Sequence, residues 1–174
     1  MSEFHGQVVG EFEKISREAY EKLTNNDSRY IAYDNIKLPT RKTDGSAGYD
    51  IYMTENVYLR PGESHVVNTM LKCFVEGGWF MSVWPKSGLG FKYRMMLANT
   101  IGVIDLDYYN CVSEGPDNEG HIMIKIVNGG DYNIELEAGK AFVQGIFLPF
   151  GITKSDDKVQ KVTRTGGIGS TNNT

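Results

Sequence analysis

The sequence has few of the residues that hold small or metal-dependent proteins together. Its two cysteines, Cys73 and Cys111, form no C-x-x-C pair, and its three histidines, His5, His65 and His121, are far apart. These spacings argue against a disulfide framework and against a Cys/His zinc site. We therefore expect a reducing compartment, with both thiols buried or incidental.

Long apolar runs and an excess of basic residues are also missing. No stretch approaches the ~20 apolar residues of a membrane span, and the acidic N-terminus lacks the basic and apolar regions of a signal peptide. The net charge is -4 and the pI is near 5.4, so a polyanionic ligand needs a local cluster of cations. The expectation is a soluble, cytoplasmic protein that binds neither nucleic acid nor membranes.

Glycine is abundant, with 20 residues among 174, and it separates short apolar runs. Short apolar runs separated by glycine predict an all-β fold. The length suits one domain over residues 1–174. About eight to ten short strands indicate a jelly-roll-like closed or double-sheet architecture. The predicted strands are Tyr30–Leu38, Tyr49–Met53, Val57–Leu59, Val66–Val75, Trp79–Trp84, Thr100–Ile104, Ile122–Val127, Tyr132–Leu136 and Phe142–Phe147.

The two ends of the chain differ from this pattern. From Glu11 to Leu23 apolar residues recur at spacings of three and four, and the pairs Glu13/Arg17 and Glu18/Lys22 are four residues apart, which predicts a peripheral helix within an N-terminal extension, residues 1–29. Residues 163–174 are mostly glycine, serine, threonine and asparagine, which predicts a mobile C-terminal tail.

A candidate site lies in the segment Asn99–Asn110. If Thr100–Ile104 is a strand entering a tight hairpin, Asp105 stands where the backbone reverses, three residues before Tyr108. A carboxylate held there can orient a water molecule. An ordinary hairpin fits the same residues, so this segment alone does not decide the function.

Three further segments carry groups that suit phosphate. Pro85–Gly90 offers a cation, a hydroxyl and glycine-freed amides, although a simple turn fits it as well. Arg164–Thr171 has the same ingredients but lacks the G-K-[ST] ending and following helix of a P-loop, which excludes that class of NTPase. Gln144 lies in an apolar run, so its amide must bond backbone neighbours or face a ligand.

Together these segments resemble a known family. In chain order, Ala47–Ile51, Pro85–Gly88, Gly102–Tyr108, Gly139–Gln144 and Arg164–Thr171 are similar to the five motifs of the trimeric dUTP diphosphatases, the dUTPase family. The resemblance implies a jelly-roll homotrimer with active sites at subunit interfaces. It implies hydrolysis of dUTP to dUMP and pyrophosphate, which keeps uracil out of DNA and supplies dUMP for thymidylate synthesis. Mg²⁺ would be bound mainly by the triphosphate.

The resemblance also implies a role for individual residues. Asp105 would activate the attacking water, and the ring of Tyr108 would lie under the deoxyribose and leave no room for a 2′-hydroxyl. Asp50 would support the metal's water shell or a subunit contact. The other substrate-binding residues would be Asn99 with the backbone of Gly102, Val103 and Ile104 for uracil, Lys86, Ser87, Gly88 and Gln144 for phosphates, and Arg164, Gly167, Ile168, Gly169, Ser170 and Thr171 as a closing lid.

Two positions depart from the family pattern. Lys86 stands where the family usually has arginine, so a fork of hydrogen-bond donors is replaced by a point charge. Ile168 stands where the tail usually has a phenylalanine that stacks on the base, which predicts a looser lid.

Two alternatives stay open. A dCTP deaminase shares the fold, but Lys125 stands where its catalytic glutamate is expected, and lysine cannot serve the same acid/base cycle at neutral pH without a large pKa depression. A dUTPase-like regulatory protein, as encoded by some phages, would bind a protein partner through the excursion Cys111–Gly120. This excursion carries Glu114, Asp117 and Glu119 and lies outside the family's minimal pattern.

Overall fold

The chain folds almost entirely into short strands. The structure, a computed structural model, describes residues 6–111 and 118–164. Two α-helices, α1 (Arg17–Thr24) and α2 (Ser87–Tyr93), and 3₁₀ turns at Tyr33–Asn35, Leu106–Tyr108 and Asp156–Lys158 accompany the strands. The strands are β1 (Gly10–Lys14), β2 (Tyr49–Tyr52), β3 (Val57–Leu59), β4 (Ser64–Asn68), β5 (Leu71–Val75), β6 (Trp79–Pro85), β7 (Met95–Leu97), β8 (Gly102–Ile104), β9 (Met123–Asn128), β10 (Ile134–Leu136) and β11 (Ala141–Pro149).

The strands pair antiparallel in four sheets. The larger sheets have the orders β2-β11-β6-β8 and β4-β9-β7, and the smaller ones are the pairs β1-β5 and β3-β10. Neighbours in a sheet are mostly distant in sequence, as β11 and β6 are, which is the connectivity of a double-sheet fold. The predicted all-β, jelly-roll-like class is confirmed.

One hydrophobic core joins the sheets. Side chains alternate along the strands, so that Val57 and Leu59 are buried while Tyr58 between them is exposed. Both cysteines are free and buried, as expected, and burial raises the pKa of Cys73 to about 12. No helix of the described residues is long and apolar enough to cross a membrane. The core includes Ile51, Met53, Val67, Met81, Met95, Ile122, Ile126, Ile134, Phe142 and Val143.

The helix predicted over Glu11–Leu23 is wrong in its first half. Residues of β1 pair with β5, with Phe12 opposite Cys73, and helix α1 begins only after Ser16, whose Oγ accepts a hydrogen bond from the amide of Ala19 at 3.1 Å. The predicted pair Glu18–Lys22 forms, with 3.3 Å between charged atoms. Sequence spacing could not reveal β1 because its strand partner lies about 60 residues further along the chain.

Two predicted strands also differ. The Tyr30–Leu38 stretch contains only an isolated bridge at Tyr30 and a 3₁₀ turn. The stretch Val66–Val75 forms parts of β4 and β5, which belong to different sheets and are separated at Met70, where φ is 60°. The chain therefore bends at Met70, whose amide donates a hydrogen bond to the ring of His121 at 3.1 Å.

Candidate active site

The segment that carries Asp105 connects two sheets. Strand β7 pairs with β9, strand β8 pairs with β6, and the turn between them is closed by a hydrogen bond from the amide of Thr100 to the carbonyl of Leu97 at 3.0 Å. The prediction that the chain reverses at Asp105 is wrong, because the reversal lies at Thr100, with φ 69°. Asp105 instead caps the 3₁₀ turn that follows β8, and its carbonyl accepts a bond from the amide of Tyr108 at 3.2 Å.

A cavity of about 250 Å³ opens against this segment. Its walls are largely apolar, with the amide of Asn99 and the cation of Arg164 as polar groups, which is the usual composition of a small-molecule pocket. Ile122, directly before β9, and Met123, its first residue, were not predicted as site residues; only their place in a predicted strand could have indicated them. The cavity is lined by Asn99, Gly102, Val103, Ile104, Tyr108, Ile122, Met123 and Arg164.

Tyr108 is buried, and its ring forms part of the cavity wall. Its hydroxyl donates a hydrogen bond to the carbonyl oxygen of His121 at 2.7 Å. The ring can therefore contact a ligand while the hydroxyl is bonded to the protein backbone.

The guanidinium of Arg164 binds both carboxylates of the 3₁₀ turn. Its Nη2 lies 2.6 Å from Oδ2 of Asp105, and its Nε lies 2.7 Å from Oδ1 of Asp107. Burial alone would lower the pKa of Arg164, but the hydrogen bond to Asp107 and the charges of both aspartates raise it. The sequence analysis did not single out Asp107; its position two residues after Asp105 was the available signal.

A second cluster joins three of the predicted segments. Asp50, only 3% exposed, lies 2.6 Å from the ammonium of Lys86 and 4.0 Å from that of Lys42. Gln144 stands opposite Asp50 across the β2–β11 pair and donates a long bond of 3.4 Å to the carbonyl of Pro85. Gly48 makes this packing possible, because a Cβ there would collide with the amide oxygen of Gln144.

The two clusters are separate within one chain. Among the described residues that line the cavity there is no member of the set Lys86, Ser87, Gly88 and Gln144. Ser87 and Gly88 are exposed at the start of α2. The predicted lid residues Gly167, Ile168, Gly169, Ser170 and Thr171 lie outside the described residues, as do residues 112–117 of the excursion.

The carboxylates present suit a metal carried by the substrate. In residues 6–111 and 118–164 no three His, Cys, Asp or Glu side chains are grouped so that they could hold a metal ion. Asp105 and Asp107 nevertheless offer exposed oxygens beside the cavity, where an ion bound to phosphate oxygens needs few protein ligands. Asp50 is held by Lys86 and is the less accessible candidate.

Comparisons with known proteins agree with this architecture. A family model described as dUTPase matches residues 34–172. The deoxyuridine 5′-triphosphate nucleotidohydrolase of Lactococcus lactis subsp. lactis (strain IL1403) is 41% identical over 136 residues, which cover 78% of this chain and 88% of that protein. The crystal structure of dUTPase from Streptococcus mutans, 34% identical, superposes with a TM-score of 0.63 and covers 82% of this chain and 98% of that chain. The chain belongs to the dUTPase family.

A more distant structure shares the fold. A mutant dUTPase from phage phi11 of S. aureus, whose structure gives the coordination of a structural Mg(II) ion, is 18% identical, with a TM-score of 0.62 over 89% of this chain and 97% of that chain. The predicted family is confirmed, and the comparisons do not favour a deaminase. Lys125, which argued against that alternative, is an exposed residue of β9. The roles of single residues stay predictions, as does a protein partner of the excursion.

Proposed function

We propose that this chain hydrolyses dUTP to dUMP and pyrophosphate, with Asp105 placing the attacking water. Family membership supports the reaction. The observation that carries the assignment of Asp105 is its position: it directly follows Ile104 of the cavity wall and holds Arg164, another residue of that wall. The activity removes a nucleotide that would put uracil into DNA, and it supplies the precursor of thymidylate.

The nucleoside is selected by the cavity. The side-chain amide of Asn99 and the backbone of Gly102, Val103 and Ile104 bond the edge of uracil, while the apolar walls contact its faces. The ring of Tyr108 lies under the deoxyribose, where a 2′-hydroxyl would collide with it. The closed backbone wall leaves no room for the methyl group of thymine, and it presents the wrong hydrogen-bond partners to cytosine.

Hydrolysis then needs one carboxylate. Asp105 accepts a proton from a water molecule, the water oxygen bonds to the α-phosphorus, and the bond from that phosphorus to the α,β-bridging oxygen breaks. Pyrophosphate leaves with the electron pair, and dUMP remains. When bound, Mg²⁺ neutralises charge on the triphosphate oxygens.

The triphosphate is held by the second cluster and the lid. Lys86 contributes a point charge, Ser87 and Gly88 contribute a hydroxyl and amides, and Gln144 assists. Arg164 moves from Asp105 to the phosphates as residues 167–171 close over the nucleotide. Ile168 can cover uracil without stacking on it, so the lid is looser than in family members with phenylalanine.

A homotrimer completes this site. The proposed phosphate-binding residues Lys86, Ser87, Gly88 and Gln144 are not among the described residues of the cavity wall, which supports their being supplied beside Asp105 by a neighbouring chain. Exposed apolar side chains on the single chain, such as Phe91 at 92% exposure, are available for subunit contacts.

The reaction is tested by measuring pyrophosphate release from dUTP, dTTP, dCTP and UTP with Mg²⁺ present. We expect rapid release from dUTP and release at least about a hundredfold slower from the other nucleotides, because each lacks a group the cavity bonds or carries one it excludes. Equal turnover of all substrates would contradict the proposal. Ammonia release from dCTP would show a deaminase instead.

The shared site is tested by complementation. Asp105→Asn removes the water-placing carboxylate, and Ser87→Glu sets a negative charge against the phosphates. If the residues come from different chains, refolding the two inactive variants together restores part of the activity, and the molar mass in solution is three times that of the chain. Activity no greater than the sum of the separate variants, or a monomeric mass, would contradict the trimer.

A further inference from the structure

The base of the excursion Cys111–Gly120 is bonded directly to Tyr108. The amide of Cys111 donates to the carbonyl of Tyr108 at 3.1 Å, and the amide of Gly120 donates to the carbonyl of Cys111 at 3.2 Å. The amide of Asn110 bonds the carbonyl of Glu119 at 3.1 Å. The two ends of the excursion are thus joined to each other immediately behind the residue that forms the wall of the sugar site.

Gly120 shows how close this approach is. Its φ is 75°, and a Cβ at this position would collide with the carbonyl oxygen of Tyr108. A side chain here would force the backbone of Tyr108 to shift. The position of Tyr108 therefore depends on a glycine at residue 120, directly before His121.

His121 is fixed through both its backbone and its ring. Its amide donates to the carbonyl oxygen of Asn118 at 2.7 Å and to Oδ1 of Asn118 at 3.0 Å. Its Nε2 accepts a hydrogen bond from the amide of Met70 at 3.1 Å, which places the ring proton of the neutral imidazole on Nδ1. The residue is 3% exposed. The carbonyl oxygen that receives the hydroxyl of Tyr108 consequently has little freedom to move.

We propose that His121 is a positioning residue for sugar selection: it holds the hydroxyl of Tyr108 so that the ring cannot recede from the 2′ position of the nucleotide. This inference rests on the proposed role of Tyr108. Steric exclusion discriminates only if the excluding group cannot move aside to admit an oxygen atom, which close packing around it prevents. The chain from Met70 through His121 to Tyr108 supplies that rigidity from the strand junction behind the site.

The test compares kcat/KM for dUTP with kcat/KM for UTP. His121→Leu removes the ring nitrogen that accepts the hydrogen bond from the Met70 amide, and Tyr108→Phe removes the hydroxyl that donates to the carbonyl of His121. For both variants we expect the dUTP/UTP ratio to fall roughly three- to tenfold, the effect of losing one hydrogen bond. The double variant should fall no further than the larger single change, because both substitutions break the same chain.

Two variants serve as matched controls. His121→Gln keeps an acceptor in reach of the Met70 amide and should keep the ratio. His65→Leu removes a histidine that is only partly buried, the partner of Glu55 at 2.9 Å, and should lower stability without changing the ratio. His65→Leu therefore shows whether a general loss of stability changes the dUTP/UTP ratio by itself, and we expect that it does not.

The outcomes separate this inference from the proposed function. An unchanged ratio in His121→Leu, or an equal fall in His65→Leu, would overturn the inference. If His121→Leu does not fold, Tyr108→Phe decides alone by the same criterion. Tyr108→Ala tests the role of the ring itself. If this variant still rejects UTP, the proposed sugar site fails. If Tyr108→Ala admits UTP but His121→Leu and Tyr108→Phe do not, only the positioning role of His121 is overturned.

Discussion

The guanidinium of Arg164 lies 2.6 Å from the carboxylate of Asp105. Arg164 is proposed to bind the triphosphate and Asp105 to place the attacking water, so the two proposed roles meet in one ion pair. A triphosphate carries more charge than one carboxylate and offers more oxygens to a guanidinium fork. It therefore competes well for Arg164. Substrate binding is expected to free Asp105 at the moment when the lid begins to close.

Replacing Arg164 tests this exchange. Arg164→Lys keeps the charge but cannot make two parallel hydrogen bonds, so the KM for dUTP should rise roughly tenfold. The control Lys161→Ala removes an exposed cation, near Arg164 in sequence, that pairs only with Asp156 in the described structure, at 2.8 Å, and should leave KM unchanged. Equal KM values for Arg164→Lys and the unaltered protein would show that Arg164 does not bind phosphate as a fork.

Lys86 has a structural role in addition to its proposed phosphate contact. Among the described residues, Lys86→Ala would leave the buried carboxylate of Asp50 with only Lys42 as a cationic partner, 4.0 Å away, so the free energy of unfolding should fall by about 2 kcal/mol. Urea unfolding measures this loss, with the exposed Lys154→Ala as control. A loss below about 0.5 kcal/mol would mean that the Lys86–Asp50 pair does not contribute to stability.

Much of the fold was predictable because its strands show local alternation. β3 and β6 were predicted almost to the residue, since a turn signal or Pro85 marks their ends. β1 was missed because Phe12 and Ile15 fit a helical spacing, while the partner that makes residues 10–14 a strand lies in β5. The break at Met70 was hidden for a similar reason: the ring of His121 bonds its amide from a distant part of the chain.

A single chain brings together only some of the residues that were predicted to form the site. Asn99, Tyr108 and Arg164 line it together because the turn after β7 and the 3₁₀ turn face the C-terminal segment. Asp107 and His121 escaped notice because neither residue type, in its sequence surroundings, indicates a contact with Arg164 or Tyr108. Their roles depend on tertiary contacts that no spacing rule contains.

The stability of the protein should depend on pH through His121. Burial lowers the pKa of His121 to about 4 from its ordinary 6.5, so the unfolded chain takes up the proton first as the pH falls. This contribution to stability is complete above about pH 6.5 and is lost progressively towards pH 4, by about 3 kcal/mol in all. Urea unfolding between pH 7 and pH 4 should be less pH-dependent in His121→Gln. Identical slopes for both proteins would contradict the burial of a neutral imidazole.

The central claim is that Asp105 places the attacking water. It is tested most directly by single-turnover pyrophosphate release from dUTP by Asp105→Asn, with nucleotide binding measured on the same preparation. We predict that chemistry slows by roughly a hundred- to ten-thousandfold while dUTP still binds, because the amide keeps the shape of the side chain but cannot take the water's proton. Pyrophosphate release at the rate of the unaltered protein would contradict the account.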